Sequence, residues 1–270
     1  MAWTELTRPR RRHARVDDKY ASDLTDPEWA LIAPFMPAPK TTGRPCPTSL
    51  RDVFDAILYM ATTGRHWRML PNDFPAVSTV RSYFHAWRND GFLDEMNRKP
   101  VEAARLAEGR KARPTAGIID SQSVKTTESS GVGGYDAGKR VKGRKRHIVT
   151  DTTGLLVGLE VHSAGIQDRD GAPDVLKALA ARYPMLRHVF AGGGHAGPKL
   201  RDALKAIGRW TVQIFKRSDR AQGFEVLPRR RVVERTLAWP GRCRRLSKDL
   251  ENCIASEEAR CCVNLAKPLI

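Results

Sequence analysis

The chain has 270 residues, 41% of them hydrophobic, which is enough for one large domain or two smaller ones with a buried core. Lysine and arginine outnumber the acidic residues by 47 to 30, and the resulting net charge of +17 indicates a polyanionic partner such as nucleic acid, with a basic enzyme lacking such a partner as the alternative. No apolar run approaches the roughly 18 residues of a membrane span, so the sequence predicts no membrane helix.

The first 20 residues are rich in arginine and no apolar stretch follows them, so we expect no signal peptide and a cytoplasmic, nucleoid-associated location. We interpret residues 1–20 as a disordered basic arm that adds nonspecific affinity for nucleic acid. The five cysteines have neither a CxxC spacing nor a matching Cys/His pair, which predicts no zinc site and no disulfide framework: Cys46, Cys243, Cys253, Cys261 and Cys262.

Three helices are predicted near the beginning of the chain. The first starts at Thr25, which forms a capping-box pattern with Glu28. The second, over residues 50–61, has apolar residues at the i, i+3, i+4, i+7 spacing of an amphipathic helix. The third is predicted from Ser78, as its N-cap, to about Arg88.

These three helices predict a small all-helical domain of the helix-turn-helix type over residues 21–98. By analogy with such domains, the third helix is the recognition element that enters a DNA groove. The side chains that point away from its apolar stripe are the predicted DNA contacts: Arg81, His85 and Arg88.

From residue 115 the pattern changes to short β-branched runs separated by turns, which predict five strands at residues 116–120, 147–154, 155–164, 188–194 and 210–216. Two helices are predicted between them, at residues 170–183 and 198–207. This order predicts an α/β domain over residues 115–265, with a mixed five-stranded sheet flanked by helices. We interpret the charged segment 99–114 as a linker between the two domains.

A basic run lies between the first two predicted strands, where six of the eight residues from 139 to 146 are basic and glycines precede them. We interpret it as a flexible hairpin that grips the phosphate backbone, and a solvated charged loop is the alternative. The predicted backbone contacts are Lys139, Arg140, Lys142, Arg144, Lys145 and Arg146.

Two acidic residues stand out as candidates for chemistry. Asp120 ends the first predicted strand, where α/β sheets present ligands, although it can also merely cap the next turn. Glu234 lies in a helical context with arginines on both sides, and from these residues alone its simpler role is to neutralise them.

Three blocks in one order extend from about residue 20 to residue 265: the LTDPEWALIAPFMP region, IIDSQSVKT with GYDAGKRVKGRKRHIVTDTTGLL, and VVERTLAWPGRCRRLSKDLE. Together they resemble the insertion-sequence-five family of DDE transposases. The resemblance implies a ribonuclease-H-like core in which two aspartates and a glutamate hold two Mg²⁺ (or Mn²⁺) ions. It further implies transposition, a DNA recombination reaction, by a homo-oligomer on the terminal inverted repeats of an insertion element and on target DNA.

Carried onto this sequence, the resemblance makes Asp120 and Glu234 catalytic metal ligands, whereas the second aspartate is missing. The family's stretch resembles VFADGGYAGPKL, and the chain reads VFAGGGHAGPKL, so Gly192 takes the place of the aspartate and His195 that of a tyrosine. Pro240 also falls within the helix of Glu234, where it can end or tilt that helix. Since glycine offers no oxygen, we expect weakened metal binding and impaired catalysis.

Two acids can in principle replace the missing ligand, Asp168 and Asp170, although a turn at the first and a helix N-cap at the second are simpler roles. His195 is a poor substitute because imidazole suits Mg²⁺ badly. The competing functional hypothesis is a non-catalytic DNA-binding protein that occupies transposon ends. A structural protein unrelated to DNA is the third, and it needs neither the charge nor the motifs.

Overall fold

The structure is a computed structural model that describes residues 20–38, 48–128, 131–215 and 228–266. Residues 1–19 of the predicted basic arm and Cys46 lie outside these ranges. Among the described helices, none has both the length and the apolar character needed to cross a membrane.

Four helices form the N-terminal part: α1 (Asp26–Ile32), α2 (Leu50–Thr63), α3 (Val77–Asn89) and α4 (Phe92–Ala107). The predicted capping box is confirmed, because the Glu28 N–H donates to Thr25 Oγ1 while the Glu28 carboxylate accepts from the Thr25 N–H. The predicted cap of the third helix is wrong: α3 starts one residue before Ser78, and its N-cap, Ala76, has no side chain that can accept a hydrogen bond.

The core of the helical part is shared with the C-terminal end of the chain. Nearly every residue of α2 from Val53 to Ala61 is buried, and Phe84 of α3 packs against it. Ala259 and Val263, from the last helix, complete the same cluster. The N-terminal helices therefore depend on residues almost 200 positions away to close their core.

The segment 99–114, predicted to be a linker, is helical over most of its length, because α4 continues through it to Ala107. Val101 is fully buried in the core beneath the sheet, and the buried Arg105 guanidinium binds Asp151 at the end of a strand. The charged residues of this stretch that belong to the helix are on its outer side, apart from the buried Arg105. The division of the chain into two domains at this place stays a prediction.

The described residues contain six strands: β1 (Ala116–Lys125), β2 (Gly134–Asp136), β3 (Val141–Asp151), β4 (Leu156–Ser163), β5 (His188–Ala191) and β6 (Thr211–Ile214). Neighbours follow the order β2-β3-β1-β5-β6, and β4 also pairs with β3. The pairs β1–β3, β2–β3 and β3–β4 are antiparallel, whereas β1–β5 and β5–β6 are parallel. The predicted mixed sheet and its five strands are confirmed, with the short β2 in addition.

Helices cover both faces of this sheet: α5 (Asp168–Arg182) and α6 (Pro198–Ile207) one face, α7 (Pro228–Gly241) and α8 (Ile254–Ala266) the other. Alternation along β1 directs Ile119 towards α5 and Ile118 towards Val233 and Leu237 of α7. Pro240 is the second-last residue of α7 and lies at the helix end.

Candidate active site

Asp120 lies within β1, which continues five residues beyond the strand end expected from the sequence. Because side chains alternate along a strand, Asp120 shares the face of Ile118, which is the face covered by α7. Its Oδ1 accepts a hydrogen bond of 2.8 Å from the Ser121 N–H. Burial raises the pKa of Asp120, and the charges of Lys139 and Arg230 offset that only in part.

Gly192 is the cross-strand neighbour of Asp120. Ile119 pairs with Ala191 in the parallel β1–β5 register, so the next position in line puts residue 192 beside residue 120, about 4.8 Å away. With φ −71° and ψ 169°, the backbone of Gly192 suits any residue. Among the residues that the structure describes, a Cβ there would have one neighbour within 4 Å, Phe215 Cε2 at 3.8 Å, so they leave room for a side chain next to Asp120.

Glu234 is carried by α7, which packs onto the sheet through Val233 and Leu237. Its carboxylate is half-exposed and lies 2.8 Å from Nε of Arg230, one helical turn earlier. The charge of Arg230 also acts on Asp120. Arg230 thus interacts with both predicted catalytic acids, as the ion-pair partner of Glu234 and as a nearby charge for Asp120.

These residues form an incomplete donor set for two divalent ions. Hard cations need several oxygen ligands each, and this edge of the sheet offers the carboxylates of Asp120 and Glu234 together with an open space at Gly192. In the described ranges, no three His, Cys, Asp or Glu side chains lie close enough together to hold a metal ion. The residues present do not fit the complete two-ion site that the resemblance implies.

Asp168 and Asp170 do not have the local roles expected of them. The helix α5 begins at Asp168 with Gln167 as its N-cap, so a turn at Asp168 and an N-cap at Asp170 are both wrong. Asp170 lies in the first helical turn, and its Oδ1 is 2.7 Å from Nζ of Lys199. Neither carboxylate caps the helix through a hydrogen bond, because the helix begins at residue 168, two residues before its predicted start, and both acids therefore lie inside its first turn.

Two lysines hold Asp168 on the α5 side of the sheet. Lys145 Nζ lies 2.8 Å from Asp168 Oδ1 and 3.1 Å from Asp136 Oδ2, and Lys139 Nζ lies 3.7 Å from Asp168 Oδ2. Burial raises the pKa of Asp168, but the hydrogen bond from Lys145, the charge of Lys139 and a hydrogen bond with Ser121 together bring it down to about 2. Asp168 is therefore a paired carboxylate.

Three buried histidines lie under the start of α5. His147 Nδ1 is 2.7 Å from His162 Nε2, and the His195 ring packs edge-on against His147 with centroids 5.8 Å apart. Burial lowers the pKa of His195 to about 4 and that of His147 to about 2. His195 thus contacts neutral rings on the α5 side and leaves the space beside Asp120 empty.

Two families of known sequences match this chain. Residues 111–266, more than half of the chain, match the family described as "Transposase DDE domain". The chain belongs to the DDE transposase family. Residues 24–97 match a second family, described as "Putative transposase of IS4/5 family", and the ribonuclease-H-like fold expected from the resemblance is confirmed.

Two curated relatives align with parts of this transposase. An uncharacterized protein y4sN of Sinorhizobium fredii is 36% identical over 73 residues, which are 27% of the chain and 58% of that relative. An uncharacterized 16.2 kDa protein of insertion element IS402 from Burkholderia cepacia is 29% identical over 109 residues, which are 38% of the chain and 72% of that protein. No solved structure gives a significant match.

Half of the basic run predicted to bind DNA is buried in the transposase. Arg144, Lys145 and Arg146 are at most 2% exposed. Arg144 Nη1 lies 2.7 Å from Asp249 Oδ2, and Arg146 Nε lies 2.7 Å from Glu257 Oε1. These three predicted contacts are wrong, because β3 continues through the run: the C-terminal segment covers Arg144 and Arg146, and Lys145 is paired with Asp168 and Asp136 on the other face of the sheet.

The remaining members of the run are exposed, two of them in the turn between β2 and β3 and the third at the start of β3: Lys139, Arg140 and Lys142. Arg140 has a left-handed backbone, with φ 55°, as the tight turn requires. Lys139 also donates to the carbonyl and hydroxyl of Ser121, at 2.9 and 2.8 Å. The flexible hairpin is therefore a short turn on a buried strand, and these three side chains stay candidates for DNA contact.

The predicted recognition helix presents fewer charges than expected. Arg81 is exposed, whereas Arg88 donates to Ser256 Oγ at 2.8 Å and is held against the start of α8. His85 is half-buried, and burial lowers its pKa. Arg88 is half-buried and only one of its guanidinium nitrogens bonds Ser256, so its contact with DNA stays a prediction.

Sequence reasoning missed two features of the site. Arg230 stands four residues before Glu234, and this i, i+4 spacing was the signal that could have revealed the pair. Asp136 had no such signal, since it meets Lys145 only after β2 pairs with β3.

Proposed function

We propose that this transposase binds duplex DNA at the ends of an insertion element and that its strand cleavage and transfer are impaired. The single observation that carries the proposal is the open space at Gly192, on the same face as Asp120 and one strand away. A carboxylate at that position would supply the oxygen ligand that the donor set lacks. Mg²⁺ or Mn²⁺ binding by Asp120 and Glu234 alone is weakened accordingly.

Replacement of the missing ligand by Asp168 is disfavoured. Its two oxygens are engaged by Lys145 and Lys139, and its side chain is on the α5 side, whereas Glu234 approaches from the α7 side. To bind a cation it would have to give up both ion pairs. Asp170 is engaged by Lys199 in the same way.

The net charge of +17 and the exposed Lys139, Arg140 and Lys142 support binding to DNA. The match to a protein of insertion element IS402 supports transposon ends as the substrate. Terminal inverted repeats and target DNA as partners, a homo-oligomer on the DNA, and association with the nucleoid are parts of the same proposal.

The test is to introduce Gly192→Asp and measure Mg²⁺- and Mn²⁺-dependent nicking of a duplex that carries the element's ends. We expect cleavage to rise by on the order of 100-fold, as restoring a lost metal-site residue does. Gly193→Asp is the matched control, because it adds the same charge one residue away in open space. Wild-type cleavage equal to that of Gly192→Asp would show that the site is not impaired.

The alternative is a non-catalytic DNA-binding protein that occupies transposon ends, and the glycine at position 192 favours it as well. The two functions differ in what Gly192→Asp restores. If that variant binds DNA in a salt-dependent manner, fails to cut with either metal and takes up no Mn²⁺ in calorimetric titration, the binding function alone remains.

A further inference from the structure

The chain that follows α7 lies against the C-terminal end of α2. The Arg244 N–H donates to the Thr62 carbonyl at 3.1 Å, and the Arg245 N–H donates to the Ala61 carbonyl at 3.2 Å. Arg245 Nη1 adds a bond of 3.1 Å to the Arg65 carbonyl. Three hydrogen bonds therefore join the helical part directly to the segment that continues from the helix of Glu234.

Gly64 allows this close approach. Its φ of +69° is in the left-handed region, and a Cβ on it would lie 3.0 Å from Arg244 Cβ. The backbone of Arg244 thus lies directly on the turn that ends α2, next to Arg65. Basic residues that are 180 positions apart in sequence become neighbours on one surface.

Four exposed cations occupy this junction, and we call them the seam surface: Arg65, Arg68, Arg244 and Lys248. Within the described ranges, none of the four forms an ion pair with a carboxylate. Their charge is therefore available to an anionic partner.

The acidic residues close in sequence to Arg244 and Lys248 form ion pairs with buried arginines. Glu251 Oε1 lies 2.6 Å from Nε of Arg245 and 2.5 Å from Nε of Arg260, and both arginines are buried. Asp249 is fully buried against Arg144. Because these carboxylates neutralise inner arginines, they do not pair with the outer cations.

Arg244 of the seam surface follows the end of α7, at Gly241, by three residues. Seven residues separate Gly241 from Glu234, so at about 1.5 Å per residue the distance along the helix is about 10 Å. That corresponds to about three base pairs of duplex at ~3.4 Å per step. The end of α7, from which the chain leads on to Arg244, therefore lies within a few base-pair steps of Glu234.

We propose that the seam surface grips the phosphate backbone of the duplex whose strand reaches Glu234, so that the helical part and the sheet hold one duplex together. This inference rests on the proposed function, because it takes DNA as the partner. Arginine and lysine contacts of this kind position the duplex and carry little sequence information. The grip is therefore expected to be the same for any flanking sequence.

The test replaces all four residues by glutamine (R65Q/R68Q/R244Q/K248Q) in the full chain and measures duplex affinity by fluorescence anisotropy over a range of salt concentrations. Each lost phosphate contact lowers the slope of log Kd against log salt concentration by about 0.9, so we expect the slope of the four-residue variant to be lower than that of the wild type by about three to four. The variant R65K/R68K/R244K keeps the charge and should keep the slope.

The matched control removes four exposed cations that have no ion pair in the described ranges and lie on α5, α6 and the adjoining loops: K177Q/R187Q/R201Q/R209Q. Its slope should change by less than one, with the same loss of net charge. Circular dichroism of each variant verifies folding.

The outcomes separate the two proposals. Wild-type protein that shows no salt-dependent affinity for DNA would overturn the proposed function and this inference with it. Wild-type binding that the seam variant retains, or that the control loses equally, would overturn the inference alone. A seam variant that has lost its fold would leave the decision to R65Q/R68Q and R244Q/K248Q, each expected to lower the slope by about two.

Discussion

Replacing Arg146 by methionine separates the structural role seen here from the DNA contact that the basic run suggests. Arg146 is 1% exposed, and its guanidinium binds the Glu257 carboxylate while donating to the Leu246 carbonyl at 2.8 Å and Gln122 Oε1 at 3.3 Å. It therefore ties β3 to the segment before α8 and to α8 itself. Methionine keeps the apolar stem and removes every one of these bonds.

The magnitude follows from the carboxylate left behind. Removing one partner of a buried ion pair destabilises a protein by about 3–5 kcal/mol, which for a chain of this size lowers Tm by about 6–20 °C. Burial already raises the pKa of Glu257 to about 7, and Arg146 acts to lower it. Without Arg146 that pKa rises further, so protonation limits the loss at pH 6, and the loss grows as the pH rises to 8.5.

Unfolding by urea and by heat at pH 6 and pH 8.5 measures the stability that Arg146→Met loses. Fluorescence anisotropy measures the DNA affinity of the same variant. Lys142→Met, on an exposed residue of the same run, should change stability by less than about 0.5 kcal/mol. The double variant Arg146→Met/Glu257→Gln should recover much of the loss, because no buried charge is left unpaired. An Arg146→Met protein of wild-type stability but reduced DNA affinity would refute the structural role.

Two further predictions concern the histidines and glycine packing. Burial lowers the pKa of His195 to about 4, so below pH 6.5 the unfolded chain binds a proton on this residue while the folded chain does not, and stability is lost as the pH falls. His195→Gln should reduce that loss by up to ~1.4 kcal/mol per pH unit between pH 6 and 5, as measured by urea unfolding. Gly171→Ala would put Cβ 2.5 Å from His162 Nε2 and should lower stability by about 1–3 kcal/mol, whereas Gly241→Ala, in open space, should leave it unchanged or slightly raised. Equal Tm values for these two alanine variants would contradict the packing described.

Features set by neighbouring residues could be predicted from the sequence. The capping box of Thr25 and Glu28, the periodicity of α2 and the alternation of the strands depend on local backbone geometry, and they appear close to where the pattern indicates. The glycine at position 192, in place of the family's aspartate, could also be identified from the sequence, because this needs only a comparison of one residue with the family's motif. Its position beside Asp120 required the parallel pairing of β1 with β5.

Which charges are buried was decided by the tertiary structure. Arg144 meets its carboxylate partner 105 residues further along the chain, and Arg146 meets Glu257 after 111 residues. A basic run therefore looks solvated in sequence, because the acids that neutralise it belong to segments with no local relation to it. The same reason turns the charged stretch after residue 98 into the outer side of a helix whose inner side packs on the sheet. Periodicity is a property of a few consecutive residues, whereas burial of a charge depends on which distant segment arrives to pair with it.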